Sequence, residues 1–472
     1  MNVLLVNPPV PSYYHNREFY LPSGLLYIAS SLSADGNQVE LLDLKTFDSR
    51  RGRPGSYESL LEERLRAFEP DLIGFGCLFS GNFQDILGYA RRCKEVRPQT
   101  PILLGGIHPT IYPAEILANC PELDWIVLAE GEQSTAQLVR MLEGREPRDF
   151  GRIDGFAYRA GESVLVNEKK GYIEDLDALP FPAYELIDIE DYHVDTDLWH
   201  NPRRLPINTS VPIISSRSCP HKCPFCSMFK AMGPAWRPRS ARNVVDEIEE
   251  VYHRFGQRHF SFMDDNFSLS KRRTIEICNE IVRRGLAIQF ETPNGLSVNT
   301  LDAEVMAALA AAGLVRISLA IESGSDYIRN QVMRKNTSRE KIFEAVRLSK
   351  SYPDMYVKAF FVIGSPEETR ETLEETYTMI RDIDVDKIHL MNMVPFPSTP
   401  IFQQAVRDNL LVDGLDVDNF YRSSELYVAN YSTFFIKPYA LTLEELREFR
   451  TRCEALIAEQ ASRRATIKQV AA

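Results

Sequence analysis

Short apolar runs separated by amphipathic stretches of about a dozen residues set the pattern of the first 145 positions. Apolar runs at 3–7, 39–44, 72–78, 102–106 and 125–129 predict strands. The stretches 23–34, 57–68 and 83–96, and one from Glu132, predict helices, the first ended by Asp35-Gly36. Such alternation implies a doubly wound parallel sheet, in which a ligand sits outside the carboxyl ends of the strands. From residue 211 the alternation resumes. Strands are predicted at 211–216, 259–263, 288–292, 315–321, 356–363 and 387–393, with helices at 243–255, 272–284, 303–312, 339–352 and 370–382. Six strand–helix units suit an open (β/α)6 partial barrel with its site at the strand carboxyl ends.

Between these blocks the period is lost. Residues 146–205 read as a linker with a small packed substructure, containing Leu179-Pro-Phe-Pro182 and an acidic stretch over 187–197. Asp191-Tyr-His-Val-Asp195 within it reads as a solvated turn rather than a metal site. Residues 411–472 form a C-terminal helical extension, with an amphipathic helix over 441–460. The expected domains are 1–145, the linker 146–205, the barrel 206–410 and the extension 411–472. The class is α/β.

The chain has 472 residues, 44% hydrophobic and 25% charged, as in an ordinary globular protein of two or three domains. A net charge of −12 argues against a nucleic-acid partner and against docking on anionic membranes. The start, Met-Asn-Val-Leu-Leu-Val-Asn-Pro-Pro, lacks the basic region of a secretory leader, and no apolar run approaches a bilayer span. Eight cysteines without framework spacing fit a reducing compartment, so a cytoplasmic location is expected.

Three of the cysteines are close together: Cys219, Cys223 and Cys226, spaced C-x3-C-x2-C. Three thiolates on one loop can hold three irons of a four-iron cluster and leave the fourth iron open to substrate. The rival is a structural zinc, which wants four closed ligands. Cys77, Cys93, Cys120, Cys278 and Cys453 are scattered singly, and His221 is poorly placed to complete a tetrahedron. No Asp or Glu lies between Asp197 and Asp246, an interval holding Arg203, Arg204, Arg217, Lys222, Lys230, Arg237, Arg239 and Arg242. This reads as a positive field that favours reduction of an anionic cluster, or as a solvated basic loop.

The strand ends carry small and polar residues: Met263-Asp-Asp-Asn266, Thr292-Pro-Asn-Gly295, Ile321-Glu-Ser-Gly324 and Val362-Ile-Gly-Ser-Pro-Glu367. With the cysteine loop, they resemble the motifs of the radical S-adenosylmethionine superfamily in the same order. The resemblance implies a 4Fe-4S cluster on Cys219, Cys223 and Cys226, whose open iron chelates methionine and whose electron yields a 5′-deoxyadenosyl radical. It implies S-adenosylmethionine contacts at Asp264 and Asp265 (amino group), Lys335 (carboxylate), Glu322 and Ser323 (ribose), Ile363, Gly364 and Phe225 (adenine), and Asn294.

The segment from Leu5 to Glu132 resembles the cobalamin-binding domain that precedes many such barrels. Asn7-Pro-Pro, Leu21-Pro-Ser-Gly-Leu25, Leu78-Phe-Ser-Gly-Asn82, Gly105-Gly-Ile-His-Pro-Thr110 and Glu130-Gly-Glu132 carry the match. It implies cobalamin contacts at Leu78, Phe79, Ser80, Asn82, Gly105, Gly106, His108, Glu130 and Gly131. The D-x-H-x-x-G motif that supplies an axial His is absent, so cobalamin is expected without a protein imidazole on cobalt. His108 either serves the cofactor or caps a turn. Together the two domains imply a cobalamin-dependent C-methyltransferase acting on a small molecule, with flavodoxin or ferredoxin as electron donor. A radical cyclase, dehydratase or rearrangement enzyme is the nearer alternative, and an iron–sulfur or cobalamin-binding regulator the farther.

Overall fold

The computed structural model describes residues 1–9, 20–46, 56–78, 80–192, 200–422, 426 and 432–471, the side chains of 465–471 excepted. Phe79 and the second half of Asp191–Asp195 therefore lie outside the described residues. The chain forms two compact units. The first comprises Met1–Asp195, Met228–Arg237 and Asp416–Val428, and the second Thr196–Ser227, Pro238–Leu415 and Ala429–Ala472.

The first unit is built on seven strands: β1 (Asn2–Asn7), β2 (Gln38–Asp43), β3 (Leu72–Gly76), β4 (Ile102–Gly105), β5 (Trp125–Val127), β6 (Phe156–Ala160) and β7 (Ser163–Asn167). Their order is β2-β1-β3-β4-β5-β6-β7, the first five parallel. The pleat divides β1 between two cores. Leu4 and Val6 pack with Leu61, Leu65, Phe83 and Ile86 of two helices, Tyr57–Phe68 and Phe83–Val96. Val3 and Leu5 pack with Leu25, Leu32, Leu138 and Val139 of Ser23–Ala34 and Glu132–Leu142 on the opposite face. Strands buried on both faces read as the unbroken apolar runs of the sequence. β6 and β7 are antiparallel and come from the segment expected to be a linker. Ala160 pairs with Ser163 across the two-residue loop Gly161-Glu162, and Gly161 takes the positive φ of 65° that such a hairpin needs.

The second unit has six parallel strands: β8 (Val211–Ile213), β9 (His259–Phe262), β10 (Gln289–Leu296), β11 (Leu314–Glu322), β12 (Tyr356–Ile363) and β13 (Lys387–Asn392). They run in sequence order with both edges open, a six-unit partial barrel. Val357, Ala359, Phe361 and Ile363 of β12 are fully buried, while Lys358 and Phe360 on its other face are half-buried. Helices begin where Ser240, Ser270, Asp302, Ser338 and Thr369 accept hydrogen bonds from backbone N–H groups three residues on. The last helix, Leu443–Ala471, is tied to β13 by Arg450, which donates to Asn392 Oδ1 (2.8 Å) and the Leu390 carbonyl (3.1 Å).

Candidate active site

The cysteine loop leaves β8 through Ser215 and Ser216, and Asp264 beyond the end of β9 fastens that root. Its carboxylate accepts from the Ser215 N–H (3.1 Å), the Ser215 hydroxyl (2.7 Å) and the Ser216 hydroxyl. Asp264 is buried, and burial pushes its carboxyl above the ordinary range against the opposing charge of Arg273 and the serine donors. A carboxylate this deep needs donors, and the serines supply them. Asp264, expected at the methionine amino group, thus anchors the root of the cysteine loop. Its neighbour Asp265 is half-buried and lies close enough to Cys219 to act on its thiol. Burial, then the charge of Asp264, push Asp265 up to about 6, with the Ser218 N–H opposing.

Cys219, Cys223 and Cys226 form no disulfide and are partly exposed, whereas the other five cysteines are buried. Ser218 opens the loop at φ 68°, and the Cys226 N–H donates to the Cys223 carbonyl at 3.1 Å. The Ile401 N–H donates to the Pro224 carbonyl at 3.1 Å, pinning the loop's middle. Burial raises the Cys219 and Cys223 thiols, and Lys335 pulls both the other way. Among the described residues, no three His, Cys, Asp or Glu side chains converge as ligands of one ion. A structural zinc needs four that do; three soft sulfur donors along one loop suit three separate irons.

Lys335 is a cation that acts on this loop. Its Nζ lies 2.7 Å from Glu322 Oε1 and 5.6 Å from the centre of the Phe225 ring. Burial works against its charge, but Glu322 and the thiols of Cys223 and Cys226 outweigh burial and leave its pKa raised. Glu322, at the end of β11, is buried at φ 70°, a strained backbone for a residue with a Cβ. Arg329 supports both partners and was not singled out from the sequence. Fully buried, it donates to the Ser323 carbonyl (2.7 Å) and the Thr337 carbonyl (2.8 Å), and its own carbonyl accepts the Lys335 N–H (3.0 Å). Nothing local marks an arginine seven residues past a strand end as buried.

The remaining barrel positions divide. Ser323, expected at the ribose, is fully buried, its hydroxyl accepting from the Ser325 N–H and meeting the Thr376 hydroxyl. Phe225 packs against a cluster containing Ile328, Met333, Val362 and Ile401. Asn294 is exposed and donates to the Met263 carbonyl at 2.8 Å. Gly364 follows the buried Ile363 at φ 88°, and Phe434 fills the place a Cβ would take at 3.0 Å. Its N–H and that of Ser365 donate to Glu368, a fully buried carboxylate that sequence reasoning missed.

In the first unit the strand ends are partly as expected. Leu78 is 63% exposed, unusual for a large apolar residue, and a Cβ on Gly105 would meet nothing nearer than 3.8 Å. Gly105 pairs with Gly76 at the end of β3, two residues before Leu78, and Asn82 Oδ1 is buried without a partner. Gly106 is required by its own backbone: at φ 119°, a Cβ would lie 2.3 Å from the Cys77 carbonyl oxygen. Gly131 is closely packed, since a Cβ there would meet Ile28 and Val127 at 3.2 Å.

His108 and Glu130, expected at the cofactor, are both held by protein partners. His108 is fully buried, with Nδ1 2.7 Å from Ser80 Oγ and Nε2 2.9 Å from the Tyr421 carbonyl. A carbonyl only accepts, so Nε2 carries the proton and Nδ1 accepts from Ser80. Burial lowers its pKa to about 4, against the Tyr421 hydrogen bond, and no nitrogen remains for a metal. Ser80 is thereby occupied as well. Glu130 is buried and paired with Arg237, whose run after the cysteines belongs to this first unit. In the acid-free interval, Arg239 likewise pairs with Glu247, and Arg203 donates to the carbonyls of Ile288 (2.9 Å) and Ala310 (3.0 Å). Much of the positive field is thus committed to holding structure.

Residues 213–380 match the Radical SAM superfamily and residues 17–139 the B12 binding domain. The chain is 29% identical to an uncharacterised methyltransferase of Pyrococcus horikoshii, over 87% of this chain and 84% of the relative. It is 30% identical to the anaerobic magnesium-protoporphyrin IX monomethyl ester cyclase of Cereibacter sphaeroides, over 82% of this chain and 59% of the relative. Its fold is similar to that of the radical S-adenosylmethionine methyltransferase TsrM from Kitasatospora setae, solved with cobalamin and a 4Fe-4S cluster. That match has TM-score 0.66 and 21% identity, over 86% of this chain and 75% of the other. No described helix is long and apolar enough to cross a membrane. The chain belongs to the radical S-adenosylmethionine enzymes that carry a B12-binding domain.

Proposed function

We propose that this enzyme methylates an unactivated carbon of a small molecule. The observation that carries the reading is the union, in one chain, of the three-thiol barrel with a B12-binding domain whose His108 is committed at both nitrogens. A saturated C–H bond offers no nucleophile to a sulfonium methyl, so a hydrogen atom has to leave before a methyl group arrives. When bound, the cluster, S-adenosylmethionine and cobalamin supply the radical and the methyl group; the chain supplies binding, orientation and exclusion of water. Cys219, Cys223 and Cys226 would hold the cluster. Asp265, Phe225, Glu322 and Lys335 gather at that loop and would hold S-adenosylmethionine, chiefly by orienting it. Leu78 and Gly105 would face cobalamin. A small reducing protein such as flavodoxin or ferredoxin would deliver the electron, in the cytoplasm.

The cyclase of Cereibacter sphaeroides, about as similar as the methyltransferase relative, favours a second reading: a radical ring-forming enzyme. A product count with methyl-labelled S-adenosylmethionine separates the two. Methylation yields S-adenosylhomocysteine, 5′-deoxyadenosine and labelled product together. Deoxyadenosine alone, without homocysteine product or label transfer, would sink methylation and leave the cyclase.

A further inference from the structure

A pocket of about 220 Å³ opens in the wall of the second unit beside the cysteine loop. Pro224, which follows Cys223, is part of its lining, with Tyr327, Gln331, Arg334, Glu367 and Gln404 around it. A group seated against Pro224 touches the chain neighbour of Cys223, about 3.8 Å along the backbone.

The chain does not complete this pocket by itself. Glu367 Oε1 accepts from Gln404 Nε2 at 2.6 Å, while Glu367 Oε2 is buried without a partner. A buried acceptor left unmade is costly, so this oxygen marks a place where another molecule brings a donor. Tyr327 at the rim is 52% exposed, and aromatic side chains are enriched where proteins meet. A volume this small admits a side chain of a partner rather than a whole small-molecule ligand.

Charge says what kind of partner. The chain carries a net charge of −12, yet Lys222 on the loop and Arg334 at the pocket are both exposed. Among the described residues neither has an ion-pair partner. His221 is exposed beside Lys222, and the neighbouring acid Asp326 is taken by Arg329. Unpaired cations on an acidic chain steer an acidic partner to that place. Electron-transfer encounters are the class of complex that holds on a small interface.

We propose that this pocket, with Lys222 and Arg334 as its cationic rim, is the docking site of a small acidic electron-transfer protein. The partner seats a side chain against Pro224 and passes one electron to the cluster; the partner is oxidised by that electron, the cluster is reduced, and no bond forms or breaks. The inference rests on the proposed cluster at the cysteine loop, and it adds where the electron enters.

The binding test needs no bound cofactor. Flavodoxin, and separately ferredoxin, is titrated into the full chain at low salt, and the heat of binding is followed. One or both should saturate, and added salt should weaken the binding. Lys222→Glu and Arg334→Glu should each weaken it about tenfold or more. Arg254→Glu should leave it unchanged, because the helix Ala241–Arg254 runs back to the opposite end of the barrel. After anaerobic reconstitution, the reduced partner should reduce the cluster about tenfold or more slowly in both rim variants. Reduced methyl viologen, a small cation that needs no docking site, should reduce it no more slowly than in wild type. Equal iron counts show that each variant is folded. Three results would overturn the docking site: binding that saturates with neither protein, binding equal in wild type and both rim variants, or viologen slowed as much as the protein donor. Binding is read before any cluster is built or methyl group moved, so the docking site and the methyltransferase reading fail separately.

Discussion

Arg237 grips Glu130 with both ends of its fork: Nη1 lies 2.9 Å from Oε2, and Nη2 2.7 Å from Oε1. Both are buried, 107 residues apart in sequence. The same guanidinium donates to the Ile173 carbonyl at 2.6 Å and lies over the Tyr172 ring at 5.3 Å, while the Ile173 N–H donates to Glu130 at 3.0 Å. One ion pair thus ties the segment Met228–Arg237 and the stretch around Ile173 to the end of β5. Arg237→Ala leaves a carboxylate buried without its partner, a loss of about 3–5 kcal/mol. Removing both charges in Arg237→Met/Glu130→Met should recover much of it. Urea unfolding of the three proteins measures this; equal loss in single and double variants would mean the pair is not what holds the segment.

His108 should prove structural. In cobalamin-loaded protein, electron resonance of Co(II) should show no nitrogen splitting from imidazole, in the wild type and in His108→Ala alike. The variant should instead lose roughly 2–4 kcal/mol, because Ser80 and the Tyr421 carbonyl lose their partner. The pH dependence has a definite sign. The folded pKa is about 4 against an ordinary 6.5, so the unfolded chain takes the proton first, and this stability is lost as pH falls from 6.5 toward 4. Imidazole splitting in the wild type that disappears in the variant would overturn the structural role.

Local signals were legible and distant ones were not. The helices Tyr57–Phe68, Ala303–Ala312 and Arg370–Asp382 match the sequence reading to the residue, because Ser56, Asp302 and Thr369 are capping residues that mark their starts. The cysteine loop and the barrel strand ends were likewise visible as short motifs. The hairpin of β6 and β7 was missed although Gly161-Glu162 sits between alternating runs, since Pro-rich sequence after it argued for a linker. What each polar residue does inside its site was harder. His108, Glu130 and Asp264 stand in ligand-binding positions of a motif, but their partners Tyr421, Arg237 and Ser215 come from distant segments that no spacing rule names.

Glu322 tests whether charge or backbone shape matters at the end of β11. Its φ of 70° is strained for any residue but glycine, and its carboxylate neutralises Lys335. Glu322→Gly relieves the strain and Glu322→Ala retains it, so the glycine variant should be the more stable by about 1 kcal/mol. Both should keep the cluster, counted as about four irons per chain after anaerobic reconstitution, and both should lose 5′-deoxyadenosine formation. Full cleavage in the glycine variant would mean that the turn, and not the carboxylate, is what the cofactor needs.

Glu368 carries the clearest pH signature of the barrel. Burial, reinforced by Glu367, pushes its pKa from 4.5 up to about 7, against the N–H bonds of Gly364 and Ser365. An acid whose folded pKa is raised binds its proton more tightly when folded, so stability is greatest below the unfolded value and declines as pH rises through the window from 4.5 to 7. At pH 8 the folded chain bears a buried charge whose Oε1 has no partner. Glu368→Gln keeps an oxygen for the two N–H groups and removes the charge. The variant should therefore be more stable than wild type at pH 8, by on the order of a few kcal/mol, and lack the decline between pH 5 and 8. Urea midpoints across that range decide it: parallel pH profiles for the two proteins would show that Glu368 stays charged and satisfied where it is. The same residue sets the backbone at Gly364, so a variant that gains stability while S-adenosylmethionine cleavage slows would tie this buried carboxylate to the adenine-side loop through its shape alone.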